Sequence, residues 1–416
     1  MSKKFRVGLF GTWRGAVLAR LFSEHEDVEI VAGCDADERH LHDLFAARFP
    51  QAKVFQDYDA FLREDFDILI LATYCPEHGP QAVKALQAGK HVFSEVQAFH
   101  TPAQGVALVE TVERTGRQYM MAENFGYLRE CQEMARLYRA GEFGEFVYGE
   151  ADYAHSVRHL MVKNPDGSYH WRCWMPPHYY GHALAVLLQI TGLRPVSVIG
   201  QSVASKISEN PNPIDFATSL VRLENGAMIR QLMSFSALRE PSSVWFSLYG
   251  TKGQAETGRW RREYLTDLHV YREGDLNSEY ARAYQPPFPI RYEQASRVSH
   301  AGADFYMILF FLEALRKSKP MPIDVYQACD FTMPGIQSYR SSVQDGKCLE
   351  VPNFRERAVR DRYRNDHFAC PREQAVRQDQ EQMPGMVTYY QKIKARIFTP
   401  TFQVSVRPDQ ETALTD

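Results

Sequence analysis

Between residues 5 and about 120 the chain alternates short β-branched apolar runs with segments whose apolar positions recur at helical spacing. This is the pattern of a parallel sheet covered on both faces. Phe5–Phe10, Val28–Cys34, Asp67–Thr73 and His91–Glu95 are predicted strands, and Val17–Phe22, Glu38–Phe49 and Pro80–Ala88 predicted helices. The last of these stops at Gly89, where a left-handed residue closes a helix most readily. After about residue 123 the pattern changes to longer amphipathic strands, Val147–His155, Ile214–Leu223, Ala227–Ser236 and Val244–Tyr249. Glu224-Asn225-Gly226-Ala227 carries hairpin chemistry, so an antiparallel sheet begins here. Pro176 and Pro177 precede a predicted helix over Tyr179–Thr191 that Gly192 ends, and Phe305–Lys319 predicts another that finishes on basic residues. Beyond about residue 354 the chain is charged and irregular, which reads as a solvated helix or arm. The expected fold is α/β: an N-terminal Rossmann domain with a doubly wound parallel sheet, then an α+β domain with a large, mainly antiparallel open sheet. The expected divisions are 1–123, 124–360 and a charged extension over 361–416.

At 416 residues two cores are expected rather than one. The net charge of -3 lacks the basic excess that a phosphate backbone demands, so nucleic acid is not an expected partner. No apolar run reaches the length of a membrane span, and a strand pattern starts within a few residues of Met1, leaving no room for a signal or transit peptide. Seven scattered cysteines without C-x-x-C spacing suggest neither a disulfide framework nor a zinc site, and a reducing cytoplasm is expected.

The first strand runs into Gly8-Leu9-Phe10-Gly11-Thr12-Trp13-Arg14-Gly15-Ala16. A glycine-rich strand-to-helix turn lets backbone N–H groups and a helix N-terminus approach a pyrophosphate. The fingerprint is imperfect: counted from Gly11, Trp13 stands at the second glycine and Ala16 at the third. Asp35, about two dozen residues on at the end of the second strand, suits a ribose 2′-hydroxyl and repels a 2′-phosphate, which favours NAD over NADP. Its alternative reading is a helix N-cap. Gly8, Gly11, Thr12, Trp13, Arg14 and Asp35 therefore form the expected dinucleotide turn.

Ala72-Thr73-Tyr74-Cys75-Pro76-Glu77-His78, followed by Ala82 to Val92 and Glu95, resembles the Gfo/Idh/MocA oxidoreductases, with further echoes at 249–256, 300–305 and 322–328. The resemblance spans about residues 4–355. It implies that Thr73, His78, Glu95 and Asn124 flank the nicotinamide half of the cofactor. Dehydrogenases of this family carry Glu-Lys-Pro after the fifth strand, the lysine being the acid/base for the oxidised hydroxyl; this chain has Glu95-Val96-Gln97. The branch it is most similar to is the NAD-dependent glycosidases of glycoside hydrolase family 109. The segments that resemble it are Tyr119 to Asn124, Gly141–Gly144 with Tyr153 and His155, His170-Trp171-Arg172, and Tyr179 to His182. That resemblance implies Glu123, Tyr153 and His155 near cofactor and substrate, and proton chemistry at Tyr179 and His182. It also implies a homodimer or homotetramer that covers the open sheet.

The residue pattern agrees with this geometry. Tyr179 and His182 lie three apart on one face of a first helical turn, and Tyr153 and His155 share one face of a strand. Imidazole titrates near neutrality, and a phenol can act as a base beside a positive charge. Structural roles remain open for each pair, and more so for His78 and His300. Arg172 suits a hydroxyl or anion clamp, and Trp171, with Tyr169 and Trp174, either stacks on a sugar or belongs to the core. Three functions follow for a small carbohydrate or glycoside substrate. One is redox-neutral glycoside cleavage by transient C3 oxidation and elimination at C1/C2, which needs no carboxylate pair across the glycosidic bond. The second is a dehydrogenase of a sugar, inositol or polyol, and the third a catalytically silent NAD-binding protein.

Overall fold

The computed structural model describes residues 4–158, 170–173, 181–206, 214–237, 243–259, 267–275, 282–298 and 300–368. Six strands form the first sheet: β1 (Phe5–Phe10), β2 (Val28–Cys34), β3 (Lys53–Phe55), β4 (Ile68–Leu71), β5 (His91–Ser94) and β6 (Tyr119–Met121). They run parallel in the order β3-β2-β1-β4-β5-β6, so the winding reverses between β1 and β4. Ligands bind such sheets in the crevice outside the carboxyl ends at that reversal. Val7, Leu9 and Ile68 to Leu71 are fully buried because helices cover both faces. The covering helices are α1 (Thr12–Ser23), α2 (Glu38–His40, widening into a π turn over Leu41–Ala46), α3 (Tyr58–Leu62), α4 (His78–Gln87) and α5 (Pro102–Thr115). Gly89 takes the expected left-handed conformation, with φ of 80°.

The second sheet has nine strands: β7 (Phe146–Ala154), β8 (Pro195–Ala204), β9 (Ile214–Leu223), β10 (Met228–Ser234), β11 (Ser243–Gly250), β12 (Gly253–Thr257), β13 (Leu268–Arg272), β14 (Arg282–Tyr284) and β15 (Leu349–Glu350). Their order is β14-β13-β12-β11-β7-β10-β9-β8-β15, and all neighbours are antiparallel except β7 and β10. With this chain come α6 (Arg129–Arg139), α7 (Gly181–Thr191), α8 (Tyr292–Ala295), α9 (Ala303–Arg316), α10 (Val325–Ser342) and α11 (Arg357–Tyr363). One face of the sheet receives α7. Gly149 of β7 makes room for Leu187, since a Cβ there would lie 2.8 Å from Leu187 Cδ1. Side chains alternate along a strand, so Ala151 and Tyr153 project from that same covered face. On the other face Ile199 and Leu220 stand opposite each other and exposed, near exposed Val203 and Met228.

Although α9 follows the second sheet in sequence, it packs back on the first domain. Its Phe311 ring lies 6.1 Å from Phe22 of α1 and 5.1 Å from Phe93 of β5. The charged segment after residue 354 is only partly the solvated arm expected. Most of α11 is exposed, but Arg360 is buried on α5, with its guanidinium 2.9 and 3.0 Å from the Glu113 carboxylate. No described helix is long and apolar enough to cross a membrane.

Gly8 departs from the cofactor role expected of it. It lies inside β1, and a Cβ on it would meet the ring ends of Phe61 at 2.7 Å and Phe66 at 3.0 Å. Its lack of a side chain serves aromatic packing under the sheet. Gly8→Ala is expected to cost about 1–3 kcal/mol through overpacking. Chemical denaturation should show the lowered stability, while NAD affinity of the folded protein stays unchanged; a selective loss of NAD affinity would restore the cofactor role.

Candidate active site

The carboxyl ends of β1, β2, β4 and β5 bring the dinucleotide residues together. Gly11 has φ of 90°, and a Cβ on it would lie 2.5 Å from the Ala72 carbonyl group, so only glycine allows the ends of β1 and β4 to approach this closely. The turn is short: α1 starts at the next residue, five before the predicted start. Gly11 has no side chain with which to cap α1, and Asp35 takes only the first amide, that of Thr12, so the next ones remain for a ligand. The indole of Trp13, in the place of a glycine, is turned to solvent and 51% exposed.

Asp35 sits at the end of β2 as expected, and its carboxylate organises the turn. Oδ2 accepts from Thr12 N at 2.6 Å and Thr12 Oγ1 at 2.7 Å, while Oδ1 accepts from Asp37 N at 2.9 Å. The N-cap of α2 is Asp37, not Asp35. Thr73 ends β4 with its hydroxyl donating to Gln81 Oε1. His78 does not face the crevice. Its ring is buried, with Nδ1 2.9 Å from Gln97 O and Nε2 3.1 Å from Thr73 O, and burial pushes its pKa down. Held against these two backbone carbonyls, the ring braces the loops after β4 and β5, a structural position rather than the cofactor contact expected of His78.

Glu95, at the end of β5, accepts from Arg14 Nε at 2.9 Å. Both terminal nitrogens of Arg14 reach Asp304 on α9, each at 3.0 Å. Asp304 is fully buried and also accepts from Asn124 Nδ2 at 3.0 Å, with His300 Nδ1 at 3.0 Å. Burial alone would lower the Arg14 pKa, but Glu95 and Asp304 outweigh it and hold the guanidinium above its ordinary value. For Asp304 burial works in the opposite direction, and Arg14 with His300 holds the carboxyl well below the usual carboxylate range. The carboxylate is therefore ionised throughout the working pH range.

Beside Asn124, Glu123 is buried, and its Oε1 accepts from Phe125 N at 3.0 Å and lies 3.0 Å from His182 Nδ1. His182 comes from the first turn of α7. A Cβ on the preceding Gly181 would sit 2.9 Å from Glu123 Oε2, so glycine lets the helix end reach the carboxylate. The His182 ring is 14% exposed, 4.7 Å from Phe125 and 5.0 Å from Tyr153 between ring centres. The Tyr153 hydroxyl lies 3.2 Å from His155 Nδ1. Glu123, Tyr153, His155 and His182 thus form one cluster; Tyr179 lies outside the described residues, as do Tyr169 and Trp174. Arg172 stacks on Trp171, its guanidinium 4.3 Å from the indole centre and 5.7 Å from the Phe235 ring. Trp171 is only 5% exposed with one face covered, so it is a packing residue rather than a sugar platform. The exposed aromatic nearby is Tyr74, edge-on to His170 at 4.9 Å.

The residues fit a dinucleotide. Beyond the Thr12 amide that Asp35 takes, the start of α1 has no side-chain cap; a carboxylate follows β2, and two buried acceptors, Glu123 Oε2 and Asn124 Oδ1, have no donor among the described residues. Such atoms cost free energy unless something arrives to donate to them. Asp304 and Phe125 are missed by the sequence reading, and His300 is weighed there chiefly as a structural residue. The one available signal was the HAGADF stretch itself, where a histidine stands four residues before an aspartate at a helix start.

The fold defines an enzyme with an NAD-binding Rossmann sheet followed by a large, mainly antiparallel sheet. Residues 5–123 match the family described as oxidoreductase family, NAD-binding Rossmann fold, and residues 206–360 match glycosyl hydrolase 109, C-terminal domain. The chain is thus similar to the Gfo/Idh/MocA oxidoreductases in its N-terminal part and to glycosyl hydrolase 109 proteins in its C-terminal part. A glycosyl hydrolase family 109 protein of Stenotrophomonas maltophilia (strain K279a) is 27% identical over 413 residues, spanning 85% of this chain and 89% of that protein. An alpha-N-acetylgalactosaminidase of Shewanella oneidensis is 27% identical over 397 residues, spanning 84% of each. The solved structure of a levoglucosan dehydrogenase with NADH and L-sorbose superposes with a TM-score of 0.72 at 16% identity, covering 84% of this chain and 100% of that one. At that identity the likeness concerns the fold.

Asp35→Ala removes both the acceptor for a ribose hydroxyl and the anchor of Thr12. A charge-assisted hydrogen bond contributes about 1.5–3 kcal/mol, so the Kd for NAD⁺ is expected to rise about ten- to a hundredfold. Titration calorimetry against NAD⁺ checks this, and an unchanged Kd would show that Asp35 serves the turn alone.

Proposed function

We propose that this protein cleaves a small glycoside without net oxidation, using imidazole and phenol groups for the proton transfers that related dehydrogenases assign to a lysine. The observation that carries the reading is the Glu123–His182 pair beside Tyr153 and His155, in a chain that has Val96 and Gln97 after Glu95. The C-terminal domain of the glycosyl hydrolase 109 type and the relative named as an alpha-N-acetylgalactosaminidase support the same class of substrate.

The α1 turn and Asp35 would hold NAD⁺, which when bound would supply reversible hydride acceptance from C3 of the sugar. His182 takes the proton of the C3 hydroxyl. Its Nδ1 is tied to Glu123, which makes Nε2 the basic nitrogen and fixes the plane of the ring. The ketone so formed at C3 acidifies the C2 proton, and in this reading Tyr179, three residues before His182, is the base that removes it. Tyr153 holds His155 through its hydroxyl and keeps that imidazole beside the pair. Arg172, braced on Trp171, is the clamp for a sugar hydroxyl or anionic group. Loss of the C1 substituent, addition of water across the C1/C2 double bond, and return of the hydride to C3 with the proton from His182 to its oxygen complete a cycle with no carboxylate nucleophile.

A glycoside of N-acetylgalactosamine deuterated at C2, turned over in ordinary water, tests this. The released sugar is expected to have lost the label, with a kinetic isotope effect at C2 and no lasting absorbance at 340 nm. Full retention of deuterium without an isotope effect would sink the elimination, and steady accumulation at 340 nm would favour a net dehydrogenase.

In this reading a second copy of the chain covers the exposed row of Ile199, Val203, Leu220 and Met228. Leu220→Glu is expected to shift the protein to monomer in sedimentation equilibrium; a wild type that is already monomeric overturns the assignment.

A further inference from the structure

The chain enters α9 through an uncommon backbone. His300 and Ala301 both have positive φ, 54° and 50°. Residues with a Cβ avoid this region, and two in succession persist only where the surroundings hold them in place. His300 Nδ1 lies 3.0 Å from Asp304 Oδ2, and Asp304 is itself fixed by Arg14 and Asn124. The left-handed turn brings the imidazole back over the start of its own helix and onto this carboxylate.

The ring reaches the cluster already described. Its centre is 6.4 Å from that of Phe125, which in turn lies 4.7 Å from His182 and 5.7 Å from Tyr153. His182 and His300 therefore both border Phe125. Each has Nδ1 tied to a buried carboxylate, Glu123 in one case and Asp304 in the other, an arrangement that fixes the ring and leaves Nε2 as the nitrogen available for proton transfer. They differ in access: the His182 side chain is 14% exposed and that of His300 28%.

We propose that His300 is a second proton-transfer residue of this site, acting on the oxygen of the departing C1 substituent. The assignment rests on the glycosidase reading. The more open ring suits the side of the sugar from which the aglycone leaves towards solvent. As the C2–H bond breaks, its electron pair forms the C1=C2 bond, the C1–O bond breaks, and the leaving oxygen takes its pair together with the Nε2 proton of the His300 imidazolium. The C2 proton goes to the base at C2. When water adds at C1, its proton returns to His300 Nε2, and C2 recovers a proton from its own base. The charged and titratable groups around the ring are Asp304 on its own helix, Arg14 from α1, and His182 and Tyr153 across Phe125.

His300→Asn tests the assignment. Asparagine tolerates the left-handed backbone, and its amide can still donate to Asp304, but it cannot donate a proton to a leaving group. The substrates are the p-nitrophenyl and methyl glycosides of N-acetylgalactosamine, assayed with NAD⁺ present. Nitrophenolate leaves without help, so kcat/KM on the nitrophenyl glycoside is expected to fall less than about tenfold, against about 10²–10⁴-fold on the methyl glycoside. An equal loss on both substrates, or none on either, overturns the assignment while leaving the glycosidase reading intact. Cleavage of neither by the wild type overturns that reading and this assignment with it.

Discussion

Everything at the active centre hangs on the buried carboxylate of Asp304. An ionised carboxyl out of contact with water is tolerated only where opposite charge and hydrogen bonds replace its hydration. Here Arg14, Asn124 and His300 supply them. These partners come from the turn after β1, the loop after β6 and the start of α9. The requirement to satisfy one anion thus fixes three segments that are about 290 residues apart at their extremes. Arg14 extends the network to Glu95 at the end of β5.

The consequence is a mechanical and electrostatic link between the glycine-rich turn after β1 and the histidine cluster. Arg14 lies two residues after Thr12, which Asp35 anchors, and Asn124 follows Glu123, which holds His182. A change at the dinucleotide turn has a short covalent and hydrogen-bonded path to the imidazoles. The apolar contact of Phe311 with Phe22 and Phe93 gives that path a rigid support, since α9 cannot move away from the first domain without opening this aromatic cluster.

Much of this organisation is legible residue by residue. The strands of the first sheet are apolar runs of the right length, Gly11 and Gly89 stand where backbone of positive φ is required, and the Glu224–Ala227 turn joins β9 to β10 as its chemistry demands. Tyr153 and His155 share a strand face, and His182 starts a helix after a proline pair. Other roles were not legible locally. Gly8 fits a glycine-rich fingerprint, but its reason is the pair of rings beneath it; His78 has the position of a cofactor ligand but is clamped by two carbonyls; Trp171 is an aromatic in a polar stretch whose open face Arg172 covers.

The sequence by itself determined the parallel Rossmann sheet and the mainly antiparallel sheet after it, the glycine-rich turn after β1 and the absence of the usual lysine, because each is a matter of periodicity, turn chemistry or identity within a few neighbouring positions. Only the tertiary structure decided that Glu123 serves His182, that Asp304 serves His300, and that α9 returns to the first domain to bring Arg14 into the same network. Those pairings depend on which buried charges meet across long loops. Chain spacing carries no signal of that meeting, since the free energy that selects it comes from desolvated partners finding one another in the packed fold.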